Sequence, residues 1–159
     1  MAAVTAAAMQ GKLEFADSLR SRVALLEGAP VTILDEVAAA MPWMPGLQLM
    51  VDTLKQAGWT VAIASGGFTR FAGELQQALG LDAIFANELA VEGGLLTGQV
   101  SGPIVDAAAK AEALLQLARE HGIPAAQTVA VGDGANELKM MGVAAVSYTH
   151  LTLPTKRIV

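Results

Sequence analysis

An α/β fold is predicted from three observations along the 159-residue chain. From Leu47 onward, helix-length amphipathic runs alternate with short apolar runs of strand length. The run Thr60 to Ala64 is apolar on both faces, as a parallel strand covered by helices on both sides requires. Glycine-bearing turns, Ser65-Gly66-Gly67 and Gly132-Asp133-Gly134, close two of these runs. A chain of this length buries roughly two thirds of the surface its unfolded form exposes, so one compact domain, or a core with a small appendage, is expected.

The pattern from Val4 to about Ala40 is helical instead, with Leu13, Phe15, Leu19, Val23 and Leu26 near helical spacing around Arg20 and Arg22. Gly28-Ala29-Pro30 breaks it, and Thr32, three residues before Asp35, is the expected N-cap of a second helix, Thr32 to Ala40. Met41-Pro42-Trp43-Met44-Pro45-Gly46 marks a boundary, because each proline disfavours helix at the residue before it. A helix Leu47 to Ala57, a strand Thr60 to Ala64, a helix Phe68 to Leu79 and a short strand Ala83 to Ala86 follow. Leu89-Ala90-Val91 and Leu95-Leu96-Thr97 flank Gly93-Gly94 and predict a β-hairpin within Glu88 to Gly102. A long helix from Ile104 to Glu120 ends at His121-Gly122 before Pro124, and a strand Thr128 to Val131 and a helix Ala135 to Met141 complete the regular part.

Composition narrows the function classes. The formal charge of -5 is spread along the chain, and no lysine and arginine cluster with interleaved aromatics is present to follow a nucleic-acid backbone. Although 53% of the residues are hydrophobic, no run reads as a membrane span, and the apolar stretch Val37 to Val51 contains Pro42, Pro45, Gly46 and Gln48. The N-terminus lacks the pattern of a secretory signal, and there are no cysteines for disulfides or thiolate metal sites, so a cytosolic protein is expected.

The chemistry-bearing residues gather at the two glycine turns. In an open α/β sheet, ligands bind at the carboxyl ends of the strands, and a helix opening there presents unpaired N–H groups to an anion. Ser65 adds a hydroxyl, and Gly66 and Gly67 allow close backbone approach. Asp133 and Glu137 place two carboxylates about one helical turn apart, the donor type that a hard cation such as Mg²⁺ takes. Lys110, near the start of the long helix, can offset the charge of phosphate and carboxylates. Taken singly, Ser-Gly-Gly is also an ordinary turn, Lys110 also a solvated helix residue, and Gly-Asp-Gly also a turn whose aspartate caps the next helix. Their order and their positions after apolar strands favour a joint function.

Ala64 to Thr69, Ala-Ser-Gly-Gly-Phe-Thr, together with Ala-Asn-Glu-Leu at Ala86 to Leu89 and Val-Gly-Asp-Gly-Ala-Asn at Val131 to Asn136, resembles the phosphoserine-phosphatase family of the haloacid-dehalogenase superfamily. Gly11 to Phe15 and Ser18 to Val23 resemble the helical cap of that family. The resemblance implies a three-layer Rossmann-like core with a small helical cap: 1–41 as cap segment, 42–145 as partial phosphatase core and 146–159 as a non-native tail. It implies Mg²⁺-dependent hydrolysis of L-phosphoserine to L-serine and phosphate through an aspartyl-phosphate, a step of serine biosynthesis. On this resemblance Ser65, Gly66 and Gly67 hold the phosphoryl group, Lys110 stabilises the nucleophile, Asp133 ligates Mg²⁺, Glu137 partners the metal-bound waters and Asn136 lies near the phosphate. Arg22 reaches the substrate carboxylate, and Met9 and Phe15 wall the serine pocket, positions equally compatible with ordinary helical core.

The family pattern also differs from this sequence. Family members begin with a strand ending in Asp-x-Asp-x-Thr, whose first aspartate is the nucleophile and second the general acid/base; that strand and a substrate-contacting glutamate are expected upstream of Met1. Position 137 usually holds aspartate, one methylene shorter than Glu137. The stretch from Val146 to Val159 looks like translated adapter, and Tyr148 and His150 are assigned no role. The rival expectations are a phosphatase for another small phosphomonoester and a phosphate-binding module without catalysis.

Overall fold

Leu19 and Val23, one helical turn apart, are both buried and anchor helix α1, Phe15–Val23, which passes into a 3₁₀ turn at Ala24–Leu26. The computed structural model describes residues 15–149, and the chain divides into two units, Met1–Val105 and Asp106–Val159. In the first unit α1 is followed by α2 (Ile33–Ala40), α3 (Leu47–Gln56), β1 (Ala62–Phe68), α4 (Thr69–Leu79), β2 (Ala83–Glu92) and β3 (Leu95–Ser101). The second unit holds α5 (Ala107–Glu120), β4 (Val129–Gly132), a 3₁₀ turn at Ala135–Glu137, α6 (Leu138–Val143) and β5 (Val146–Thr149). No helix among the described residues is long and apolar enough to cross a membrane.

The sheet of the first unit runs β1-β2-β3, with β1 parallel to β2 and β2 antiparallel to β3. Helix α4 provides the crossover between the two parallel strands and packs on both. Its core joins Val51 of α3 to Leu79 and Leu81, with Leu47, Val61, Ile63 and Leu75 packed around them; each such fully buried side chain contributes about 1.5–3 kcal/mol. Asp82 fastens the start of the sheet, because its Oδ2 accepts from the Val61 amide at 2.7 Å while Oδ1 accepts from Lys55 Nζ at 2.9 Å.

The hairpin forms at Gly93-Gly94, whose φ values of 56° and 81° are those a tight primed turn demands at both central positions. Its outer strand also holds the helical segment. The Gly28 amide donates to Leu96 O at 2.9 Å, the Leu96 amide to Ala29 O at 2.8 Å and the Val31 amide to Gly94 O at 2.9 Å. The Gly28-Ala29-Pro30 break is therefore a short extended segment bridged to β3 at Leu95, more than a pause between helices.

Several boundaries differ from the sequence expectation for physical reasons. Strand β1 does not stop at Ala64 but runs extended through Ser65, Gly66 and Gly67 to Phe68, so α4 starts at Thr69. Strand β2 likewise continues from Ala86 into the hairpin without a break. Thr32 is helical itself and makes no side-chain cap, leaving its carbonyl to accept from Asp35 at 3.0 Å. The long helix begins at Ala107, three residues after Ile104, because Asp106 caps it by accepting from the Ala108 and Ala109 amides at 2.8 and 2.9 Å. Residues 135–141 open as a 3₁₀ turn and become α-helical only at Leu138.

In the second unit β4 and β5 pair in parallel from Val129↔Val146 to Gly132↔Thr149, so the first residues after Ala145 form a strand. Among the described residues β1 pairs with β2 alone and β4 with β5 alone. Along β4, Ala130 is buried while Val129 and Val131 are 39% and 59% exposed, so a strand with two apolar faces is covered on one.

The Asp106 cap carries a stability prediction. Asp106→Ala lowers the unfolding free energy by about 1 kcal/mol, seen as a lower urea midpoint at unchanged slope. An unmoved midpoint would mean that water satisfies the Ala108 and Ala109 amides equally well.

Candidate functional site

In the first unit, the ladder between β1 and β2 pairs Ala62↔Ala83, Ile63↔Ile84 and Ala64↔Phe85, and then resumes at Phe68↔Asn87. Ser65, Gly66 and Gly67 stand opposite Ala86 alone, so the strand bulges where the sequence places its anion-binding turn. Inside the bulge the Gly67 amide donates to Ser65 Oγ at 3.0 Å. A serine hydroxyl that accepts one hydrogen bond still has its own proton to donate.

Gly66 is glycine because of Phe15. A Cβ at position 66 would meet Phe15 Cζ at 2.7 Å, so the tip of the aromatic ring lies against the turn. Phe15 and Arg22 are seven residues apart in α1, which places them on the same helix face about 10 Å apart along the axis. Arg22 is half-buried, and its Nε donates to Ser18 O at 3.2 Å, so the side chain runs back along the helix toward the Phe15 end. Ser18 lies between them, 1% exposed, with no hydrogen-bond partner for its Oγ among the described residues. Met9 lies outside the described residues. A cleft of about 510 Å³ between α1 and β3 is lined by Arg20, Glu27, Thr97 and Gln99 and contains none of the expected site residues.

In the second unit the structure brings Lys110 and Glu137 together. Lys110 is 2% exposed, and its Nζ donates to Glu137 Oε1 at 2.5 Å, while Glu137 Oε2 accepts from the Gly134 amide at 2.9 Å. Glu137 packs closest against Gly132. A Cβ on Gly132 would overlap Glu137 Cγ and Cβ, and one on Gly134 would lie 2.6 Å from Glu137 Oε2 and from Asn136 Oδ1. Lys110 is thus a buried ion-pair partner and not a solvated helix residue, and removing either partner of such a pair costs roughly 3–5 kcal/mol.

Asp133 is exposed and accepts no hydrogen bond in the described structure, so its carboxylate is available. The expected cation-holding carboxylates differ in this respect, since both Glu137 oxygens are engaged by Lys110 and the Gly134 amide, and among the described residues no group of three or more acidic, histidine or cysteine side chains is assembled. A small hard cation that retains most of its waters fits such a donor set, whereas a tetrahedral zinc site does not. Two residues on which sequence reasoning placed no role hold backbone groups, each in its own unit: Asp106 at the start of α5 and Asn87 in β2. Asn87 fell between the expected strand end at Ala86 and the hairpin from Glu88, so its place inside β2, where asparagine is disfavoured, came from the structure alone.

The family model of haloacid dehalogenase-like hydrolases matches residues 2–142. A phosphoserine phosphatase of Idiomarina loihiensis is 49% identical over 154 residues, covering 97% of this chain and 70% of that protein. A phosphoserine phosphatase of Mycobacterium tuberculosis is 46% identical over 157 residues, covering 99% of this chain, which spans 38% of that longer relative. A substrate-bound phosphoserine phosphatase structure superposes with a TM-score of 0.86 at 40% identity, covering 92% of this chain and 70% of that one. With its helix-connected parallel strands and the glycine turns that close them, the chain belongs to the haloacid dehalogenase-like hydrolase family and has its Rossmann-like α/β fold.

Proposed function

We propose that the chain carries the phosphoryl-holding, metal-holding and substrate-recognising parts of a phosphoserine phosphatase, which hydrolyses L-phosphoserine to L-serine and phosphate. The observation that carries this reading is the seating of Phe15 on Gly66, which puts the α1 face bearing Arg22 over the turn bearing Ser65. A phosphoryl group at Ser65 and a carboxylate at Arg22 are the two ends of a small phosphorylated amino acid, with the Phe15 ring as the apolar wall between them. The likeness to phosphoserine phosphatases supports the same substrate class.

Each residue then has a task that its surroundings suit. Ser65 donates its hydroxyl proton to a phosphoryl oxygen, and Gly66 and Gly67 let the backbone approach it. Lys110, fixed by Glu137, contributes a buried positive charge that offsets charge at an attacking carboxylate and its phosphorylated form. Asp133 is the direct ligand and Glu137 the partner of the waters of a Mg²⁺ ion, which when bound neutralises phosphoryl charge. Asn136 makes a polar contact near the phosphate. Met9 adds to the apolar wall beside Phe15. We assign 1–41 to the cap, 42–145 to the core and 146–159 to a tail without a functional role, and place the reaction in the cytoplasm.

Phosphate release from L-phosphoserine tests this reading. The chain is assayed as it stands and joined to the Asp-x-Asp-x-Thr segment that the family resemblance places before Met1. Turnover that needs Mg²⁺ is expected in the joined protein, and none from the chain alone. Equal rates on phosphoethanolamine would overturn the substrate assignment, and a joined protein that binds phosphate without turnover would make this a binding module.

In the joined protein Arg22→Ala raises KM by about 10-fold to 100-fold, the loss of a charge-assisted hydrogen bond, with a smaller change in kcat. A kcat loss at constant KM would remove Arg22 from carboxylate recognition.

Asp133→Asn abolishes turnover, whereas Glu137→Asp, one methylene shorter, retains it. Near-normal rates in Asp133→Asn over a Mg²⁺ titration would show that the metal is held elsewhere.

A further inference from the structure

Asn87 is 1% exposed in the middle of β2, yet its carboxamide makes no contact typical of a strand side chain. Its Nδ2 donates to Gly66 O at 2.9 Å and to Gly67 O at 3.2 Å, and its Oδ1 accepts from the Val105 amide at 2.8 Å. The reversed amide would set N–H against N–H and oxygen against two carbonyls, so these partners determine its orientation. The bulge explains why the side chain is needed. Between Ala64 and Phe68 the strand leaves the ladder, and the Gly66 and Gly67 carbonyls would be buried polar groups without a strand partner.

We propose that Asn87 is a positioning residue that sets the donor direction of the Ser65 hydroxyl through the Gly66–Gly67 peptide. The inference rests on the reading of Ser65-Gly66-Gly67 as the phosphoryl-holding turn. In a trans peptide the carbonyl oxygen and the following N–H point in opposite directions. Drawing Gly66 O toward Asn87 therefore aims the Gly67 N–H away from it, and that N–H donates to Ser65 Oγ. One acceptor position of the hydroxyl is thereby occupied, and its proton is left for a ligand oxygen. The three groups form a chain, carboxamide to peptide to hydroxyl, in which each bond polarises the next. Asn87 touches no reacting atom and acts through Ser65.

The test uses the full chain and inorganic phosphate as probe, with amide resonances read by NMR. In Asn87→Asp the Val105 acceptor is kept and the donation to Gly66 and Gly67 is lost. Val51→Ala, in the core cluster with Leu79 and Leu81, is the destabilised control. Asn87→Asp is expected to speed Gly67 amide exchange and weaken phosphate binding, each by about tenfold relative to Val51→Ala. Ser65→Ala alone weakens phosphate binding similarly, and the double variant Ser65→Ala/Asn87→Asp is no weaker than the poorer single one, because the two act in one chain. Should the buried charge prevent folding, Asn87→Ser, neutral and too short to span both carbonyls, takes its place in every comparison. Gly67 exchange equal to the control, or additive losses in the double variant, would overturn the positioning role. Failure of the unmodified chain to bind phosphate would instead overturn the phosphoryl-turn reading, and Gly67 exchange would still decide whether Asn87 holds the peptide.

Discussion

Backbone polar groups cannot be buried without partners, and the site in the first unit is arranged around that constraint. For Ser65, Gly66 and Gly67 to be available to a ligand, β1 has to bulge out of its ladder with β2. The bulge strips two carbonyls of their strand partners, and Asn87 supplies them from the neighbouring strand. The same side chain receives the Val105 amide, so one buried carboxamide satisfies three backbone groups. A Cβ at Gly66 would also meet the tip of the Phe15 ring.

The Gly-Asp-Gly turn of the second unit answers the same kind of demand with charge. Glu137 folds back across Gly132 and Gly134, accepts from the Gly134 amide and meets Lys110, so the turn is held by a carboxylate belonging to the helix it opens. A buried ammonium is costly to leave unpaired, and Glu137 is its partner. Glu137 reaches both Lys110 and the Gly134 amide.

The helical segment and the hairpin depend on each other in a comparable way. Residues 28–31 occupy the outer edge of β3 through backbone hydrogen bonds, and that pairing covers an edge that would otherwise present unpaired groups. Arg70 of α4 adds an ion pair to Asp35 of α2 at 2.7 Å, exposed and therefore of small energetic weight. The seating of Phe15 on Gly66 thus has support from the hairpin, which fixes the segment that follows α1.

Much of this was legible in the order of residues, because helix and strand periodicity, glycine pairs and cap residues are local signals. The helices expected over Thr32 to Ala40, Leu47 to Ala57 and Phe68 to Leu79 form within a residue of those bounds, and the Gly93-Gly94 hairpin also follows from spacing. The residue types at Ser65, Lys110, Asp133 and Glu137 gave the expectation of phosphate and cation chemistry before any contact was known. Only the tertiary structure decided how those residues are held. That β1 continues through Ser65-Gly66-Gly67, that Lys110 pairs with Glu137 27 residues away and that Asn87 reaches a turn 20 residues earlier are long-range facts. Local pattern carries no information about them, because which donor meets which acceptor is set by strand register and by the packing of segments distant in sequence.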